Sequence, residues 1–172
     1  MSQVQRWFDR RFEFSTPVEL VPNVRARLRG TPYRLEALVR GKPHTVMTRK
    51  LAPGWSAQEN AGHLLDLEWL WLARVDDYVA GSDQITPADL TNRSTEDARH
   101  NERSLEQILK EFRTARERLL ALVHGLDAAP FARSIVHPRL KTPMRLADHL
   151  CFVAEHDDHH LALIWELVSA VR

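Results

Sequence analysis

An all-α fold, a four-helix bundle, is predicted by three features of the sequence. Apolar residues recur at three- and four-residue spacing in four long segments, Pro and Gly punctuate the joins, and no stretch alternates polar with apolar residues as a half-buried strand does. The predicted bundle has long crossover loops after helices 2 and 3. The 172 residues suit one domain over 1–172, with enough chain to bury a full core without disulfides or metals as staples. A metal in such a protein serves function rather than folding.

Residues 1–20 are too short and irregular for a layer. Their Trp7, Phe8, Phe12 and Phe14 read as an N-terminal apolar strap, laid over the bundle or into a partner subunit. The first helix is expected from about Pro22 to Val39 around Val24, Leu28, Leu35 and Leu38, with a bend or break at Gly30-Thr31-Pro32 because an internal proline removes a hydrogen bond. Residues 41–54 form a loop. Ser56 with Glu59 three positions on is a capping box that starts the second helix, which runs to about Val79 and is ended by Gly81. The aperiodic, polar 82–97 segment is a crossover. It feeds a third helix, about Thr95 to His124, built on Leu105, Ile108, Phe112, Leu119 and Leu122 and stopped by Gly125. A second long loop covers 126–143, after which Thr142 as cap and Pro143 at the first position start a fourth helix reaching about Ala170.

Formal charge is +1, with acidic and basic residues interspersed, so there is no electrostatic footprint for nucleic acid or an anionic membrane. Small-molecule or protein partners are expected instead. The single cysteine, Cys151, excludes an intramolecular disulfide and a Cys-based zinc site, and reads as core filling in the last helix. The charged, aromatic N-terminus lacks a cleavage signal, and no apolar run approaches the ~18 residues of a membrane span. The expectation is a cytoplasmic protein.

The segment FVAEHDDHHLALIWELV, 152–168, concentrates three histidines within an otherwise apolar run. At ~3.6 residues per turn, His156, His159 and His160 share a face, and His149, His156 and His160 fall within a ~40° sector bordered by Phe152, Val153, Leu163 and Leu167. In the second helix His63 sits among Ala61, Gly62 and Leu64, toward the apolar side. One inward histidine facing two inward histidines a turn apart offers three imidazoles to one point. Imidazole suits Zn, Ni, Fe and Cu, and three protein ligands leave a position open for water or substrate.

Each of these residues has a plainer reading. His156 and His160 could line a solvated face with Asp157 and Asp158 in local charge pairs, and His63 could be a hydrogen-bonded core histidine. His149 reads as a packed helix residue rather than a fourth ligand. Trp55, Trp69, Trp71 and Trp165 read as packing, with an aromatic pocket wall as the alternative for Trp69 or Trp71. Asp66, one turn beyond His63, is placed either to accept a hydrogen bond from a metal-bound water or orient a ligand imidazole, or simply to sit solvated at the helix edge. Protease chemistry of the HExxH kind is disfavoured because Asp157 follows His156. Cys151 lies ~140° from the ligand face, and no nucleophile elbow or phosphate loop is present.

The stretches GWSAQENAGHLLDLEWL and HPRLKTPMRLADHLCFVAEHDDHHLALI resemble the DinB-like (DinB/YfiT) superfamily of four-helix-bundle metalloenzymes. The marks are Trp55-Ser56 at a helix start, His63 eight residues later, and the His156-x₂-His159-His160 cluster; WFDRRFEFSTPVELVPNVRARLRGTPYRLEALV extends the likeness over almost the whole chain. The resemblance implies a divalent metal, Zn or Ni, held by His63, His156 and His160, with His159 beside the site. It further implies thiol-dependent transferase or hydrolase chemistry on a small molecule, with a low-molecular-weight thiol as cosubstrate, in a homodimer. Asp66 and His159 are then the candidate catalytic residues, His159 as a proton-handling neighbour. The alternative is a non-catalytic, metal-binding, stress-related dimer.

Overall fold

Four apolar stripes draw four rods together. In the computed structural model, which describes residues 4–51 and 54–170, these are α1 (Val21–Val39), the pair α3 (Ala57–Asp66) and α4 (Glu68–Ala80), α6 (Leu105–His124) and α8 (Leu146–Ser169). Shorter helices α2 (His44–Met47), α5 (Arg93–Asp97) and α7 (Ala128–Ala132) lie in the connections, with a two-stranded sheet of β1 (Ser134–Val136) and β2 (Pro143–Arg145). Both α1 and α3 pack against α8 and α6, which places α1 and the α3–α4 rod at diagonal corners of a four-helix bundle. No helix among the described residues is long and apolar enough to cross a membrane.

The expected break in α1 does not occur, although Pro32 lies inside it. Pro32 has no N–H for the Leu28 carbonyl four residues back, and Arg116 Nη1 donates to that oxygen at 3.1 Å instead. A neighbouring helix thus supplies the bond that the proline removed. The predicted second helix is jointed at Leu67, whose N–H still bonds the His63 carbonyl at 3.2 Å. The third helix begins ten residues later than expected, at Leu105, behind a Ser104 cap. Before it, Arg99 takes a left-handed backbone (φ 48°) and the Gln58 amide donates to the carbonyls of His100 (2.7 Å) and Arg103 (2.9 Å), so tertiary bonds replace helical ones there.

The start of the fourth helix is also corrected. Pro143 sits in β2, paired antiparallel with β1 in the register Ile135↔Met144, and α8 begins at Leu146 with the Asp148 carboxylate accepting from the Arg145 N–H. Three-residue strands carry too little alternation to be read from sequence.

Two apolar clusters fill the bundle. One includes Leu28, Val75, Tyr78, Leu119 and Val153; the other includes Leu35, Ala61, Leu64, Phe112 and Ile164. Between them, on all four rods, lies a polar layer of Thr31, Glu68, Arg116 and Asp157, all essentially buried. Residues 1–3 of the strap lie outside the described residues. Its Trp7 packs edge-on against Phe152 of α8, and its Phe12 against both Trp7 and Phe152, so these rings cover the chain's own last helix.

Candidate metal centre

The capping box seen in sequence fixes the start of α3: Ser56 Oγ accepts the Glu59 N–H at 3.1 Å while the Glu59 carboxylate accepts the Ser56 N–H at 2.8 Å. Seven residues on, α3 presents His63 toward α8, which presents His156 and His160 one turn apart. His63, His156 and His160 are buried and each offers a ring nitrogen within 4.8 Å of the others. The Nε2 atoms of His156 and His160 stand 3.2 Å apart.

Hydrogen bonds at the far side of two rings fix their tautomers. Asn60, three residues before His63, spends its amide N–H on the Ser56 carbonyl (2.8 Å), so its Oδ1 accepts from His160 Nδ1–H at 2.8 Å. The Thr95 hydroxyl donates to Asp66 Oδ2 at 2.8 Å, which leaves its oxygen to accept His63 Nδ1–H at 3.0 Å. In both rings Nε2 is therefore the bare nitrogen, the state a metal ligand needs. His156 Nδ1 is buried with no partner among the described residues. Burial holds all three imidazoles neutral: His63 is pushed down to about 4, and His156 and His160 well below the ordinary histidine value. Neutral, converging and pre-oriented nitrogens fit a divalent ion that accepts imidazole.

Asp66 does not meet His63 directly. Its Oδ2 accepts from Thr95 and lies 2.8 Å from His100 Nε2, so it reaches the histidine only through the threonine hydroxyl. Gly62 makes this possible, since a Cβ there would fall 2.2 Å from the His100 ring.

A model of the DinB superfamily matches residues 27–164, about four-fifths of the chain. The chain belongs to the DinB superfamily. Among solved structures it is similar to YfiT from Bacillus subtilis, described as a probable metal-dependent hydrolase with an unusual four-helix bundle topology. That match has a TM-score of 0.81 at 21% identity and covers 94% of this chain and 93% of the other. It is also similar to a mycothiol-dependent maleylpyruvate isomerase, with a TM-score of 0.67 at 10% identity, covering 85% of this chain and 60% of the isomerase chain. No curated protein sequence matches it. At these identities the structural likeness establishes the shared bundle.

In this DinB-superfamily chain the histidines form one wall of a cavity of about 980 Å³, lined also by Trp7, Trp55, Trp71 and Phe152. His159 lies on that wall, 9% exposed, its ring 5.2 Å from His160 and 5.6 Å from Trp7, and it is outside the converging trio. Trp55 and Trp71 face the cavity: Trp55 stands 4.6 Å from His63, and Trp71 is 5.7 Å from His156. Trp69 and Trp165, read as packing from sequence, are instead 56% and 60% exposed. His149 is fully buried between Trp71 and Tyr78 and stands apart from the trio. Asp157 is not on a solvated face; it is buried and paired with Arg116 at 2.6 Å, while Asp158 pairs with Arg34 at 2.7 Å.

Sequence reading missed Asn60 and Thr95. Asn60 carried a signal, lying one turn before His63 on the same face. Thr95 carried none, because its position beside His63 depends on the path of the crossover.

Proposed function

We propose that this protein is a metal-dependent enzyme in which His63, His156 and His160 hold a divalent ion, zinc or nickel, and which acts on a small molecule by thiol-dependent transfer or by hydrolysis. The observation that carries this reading is the trio itself: three buried, neutral imidazoles, two with their far nitrogens tied, opening onto a large aromatic cavity. A closed structural zinc site has no such opening. The chemistry a divalent ion supplies in such a donor set is Lewis acidity, which brings the pKa of a thiol or water toward neutrality.

The chain's own residues divide the remaining work. Thr95 and Asp66 position His63, and Asn60 positions His160, which keeps both rings from rotating out of register. His159, beside the trio and on the cavity wall, takes and returns a proton; burial and the neighbouring Arg10 hold its pKa below the ordinary value, so it rests neutral and able to accept. Trp7, Trp55 and Trp71 exclude water from the reacting end. The likeness of the bundle to a mycothiol-dependent enzyme supports a low-molecular-weight thiol as cosubstrate.

Elemental analysis of untagged protein tests the reading. Wild type is expected to carry about one equivalent of transition metal, and His156→Ala to lose it while keeping its far-UV helical signal. Absence of metal from wild type after reconstitution with zinc and nickel overturns the proposal.

A further inference from the structure

A second polar group lines the same cavity and takes no part in holding the histidines. Arg74 of α4 is 2% exposed, yet among the described residues no carboxylate lies within ion-pair distance of it. Its Nε–H donates to the Thr86 carbonyl at 2.8 Å, and its guanidinium stands 5.4 Å over the Trp71 ring. Those contacts use one of five N–H donors. The nearby carboxylate of Asp77 is committed elsewhere, accepting both the N–H (2.5 Å) and the hydroxyl (2.8 Å) of Thr86.

His137, 2% exposed, lines the cavity too. Its Nδ1 accepts the backbone N–H groups of Arg139 and Leu140, each at 3.2 Å, so the ring proton sits on Nε2. That Nε2–H has no partner among the described residues. Arg139 also lines the cavity, its guanidinium 5.1 Å over the Phe8 ring. The acidic residues of the lining, Asp89 and Glu166, are both exposed, and Asp89 already accepts from Thr91 and the Arg93 N–H.

We propose that Arg74 and His137 form a carboxylate-binding subsite that anchors the organic substrate of the histidine centre. A buried cation with no carboxylate in ion-pair contact is costly, and a ligand carboxylate offsets that cost. Burial lowers the Arg74 pKa only to about 10, so the cation is present at neutral pH. The guanidinium fork matches a carboxylate in two parallel hydrogen bonds, a fit that a neutral amide lacks. Trp71 touches both ends of the site, with the Arg74 guanidinium 5.4 Å over its ring and the His156 ring 5.7 Å from it. The ligand class is therefore a small molecule with an apolar or aromatic body and one carboxylate. Its role as substrate rests on the enzyme reading above; the subsite's geometry does not.

The test is a titration of benzoate against benzamide, followed by tryptophan fluorescence on full-length protein dialysed against chelator, so that no metal competes for the carboxylate. Benzoate is expected to bind roughly tenfold or more tightly than benzamide. Arg74→Gln should erase that preference with helical signal and metal uptake unchanged, and Arg74→Lys should retain part of it. If Arg74→Gln does not fold, His137→Phe is expected to weaken benzoate selectively. Equal affinity of wild type for the two probes, or binding of neither, overturns the subsite without touching the metal reading.

Discussion

Two buried polar regions lie at the same level of the bundle and obey opposite rules. Around Arg116 every donor is used: Nε and Nη2 bond Glu68 at 3.0 and 2.6 Å, Nη1 and Nη2 bond Asp157 at 2.6 and 3.1 Å, and Nη1 also bonds the Leu28 carbonyl. Thr31 adds a hydroxyl to Asp157 at 2.7 Å. Around the histidines, nitrogens are left over, aimed at one another beside an open cavity. Saturation marks a polar group that holds structure, since unmade bonds in a low dielectric are expensive. Unused capacity at a concave wall marks one that awaits a ligand.

The largest effect expected from breaking this contrast comes from Arg116→Met. It strands two buried carboxylates and the Leu28 oxygen, and urea denaturation should show a loss of roughly 3–5 kcal/mol. Wild-type stability in that variant would mean the network is dispensable.

Next comes acid. The unfolded chain binds protons at its histidines below about pH 6.5, whereas folded His63 stays neutral down to about 4 because of burial. Stability is therefore unchanged by His63 above pH 6.5, falls as pH drops from there to about 4, and then levels off, a loss on the order of 3 kcal/mol. His149, His156 and His160, also held well below the ordinary value by burial, act in the same direction. Glu68, raised by burial to about 7, works oppositely, since its folded form keeps a proton that the unfolded form releases. Four histidines outweigh one carboxyl. Chelator-treated protein should lose stability toward pH 4.5 in urea titrations, and a flat profile from pH 7 to 4.5 would contradict the assignment.

A smaller change sharpens the histidine side. Thr95→Val removes the hydroxyl between Asp66 and His63 and should weaken metal affinity by roughly tenfold to a hundredfold with the helical signal intact. Competition with a chromogenic chelator measures it; unchanged affinity would separate the relay from the metal. The smallest effect on metal is expected from His159→Ala, which should leave content unchanged while lowering turnover on any substrate found. A loss equal to that of His160→Ala would make His159 a ligand.

How much of this was legible in the sequence follows from the range of each interaction. Ser56 with Glu59 gave a helix start because both partners lie within one turn. His63, His156 and His160 could be gathered because helical periodicity alone turns them inward, and the family resemblance paired the two helices. The joint at Leu67, the late start at Leu105 and the β1–β2 pair escaped, since each depends on bonds between distant segments, such as Gln58 to His100 and Arg103.

By itself the sequence determined the all-helical class, the bundle and the inward histidines, because these follow from local periodicity and apolar burial. Only tertiary structure decided that Pro32 leaves α1 whole, that Asp157 is a buried partner of Arg116, and that Arg74 lies on a cavity wall with no ion-pair partner among the described residues. The reason is physical: which polar groups are satisfied depends on which strangers in the sequence become neighbours in space.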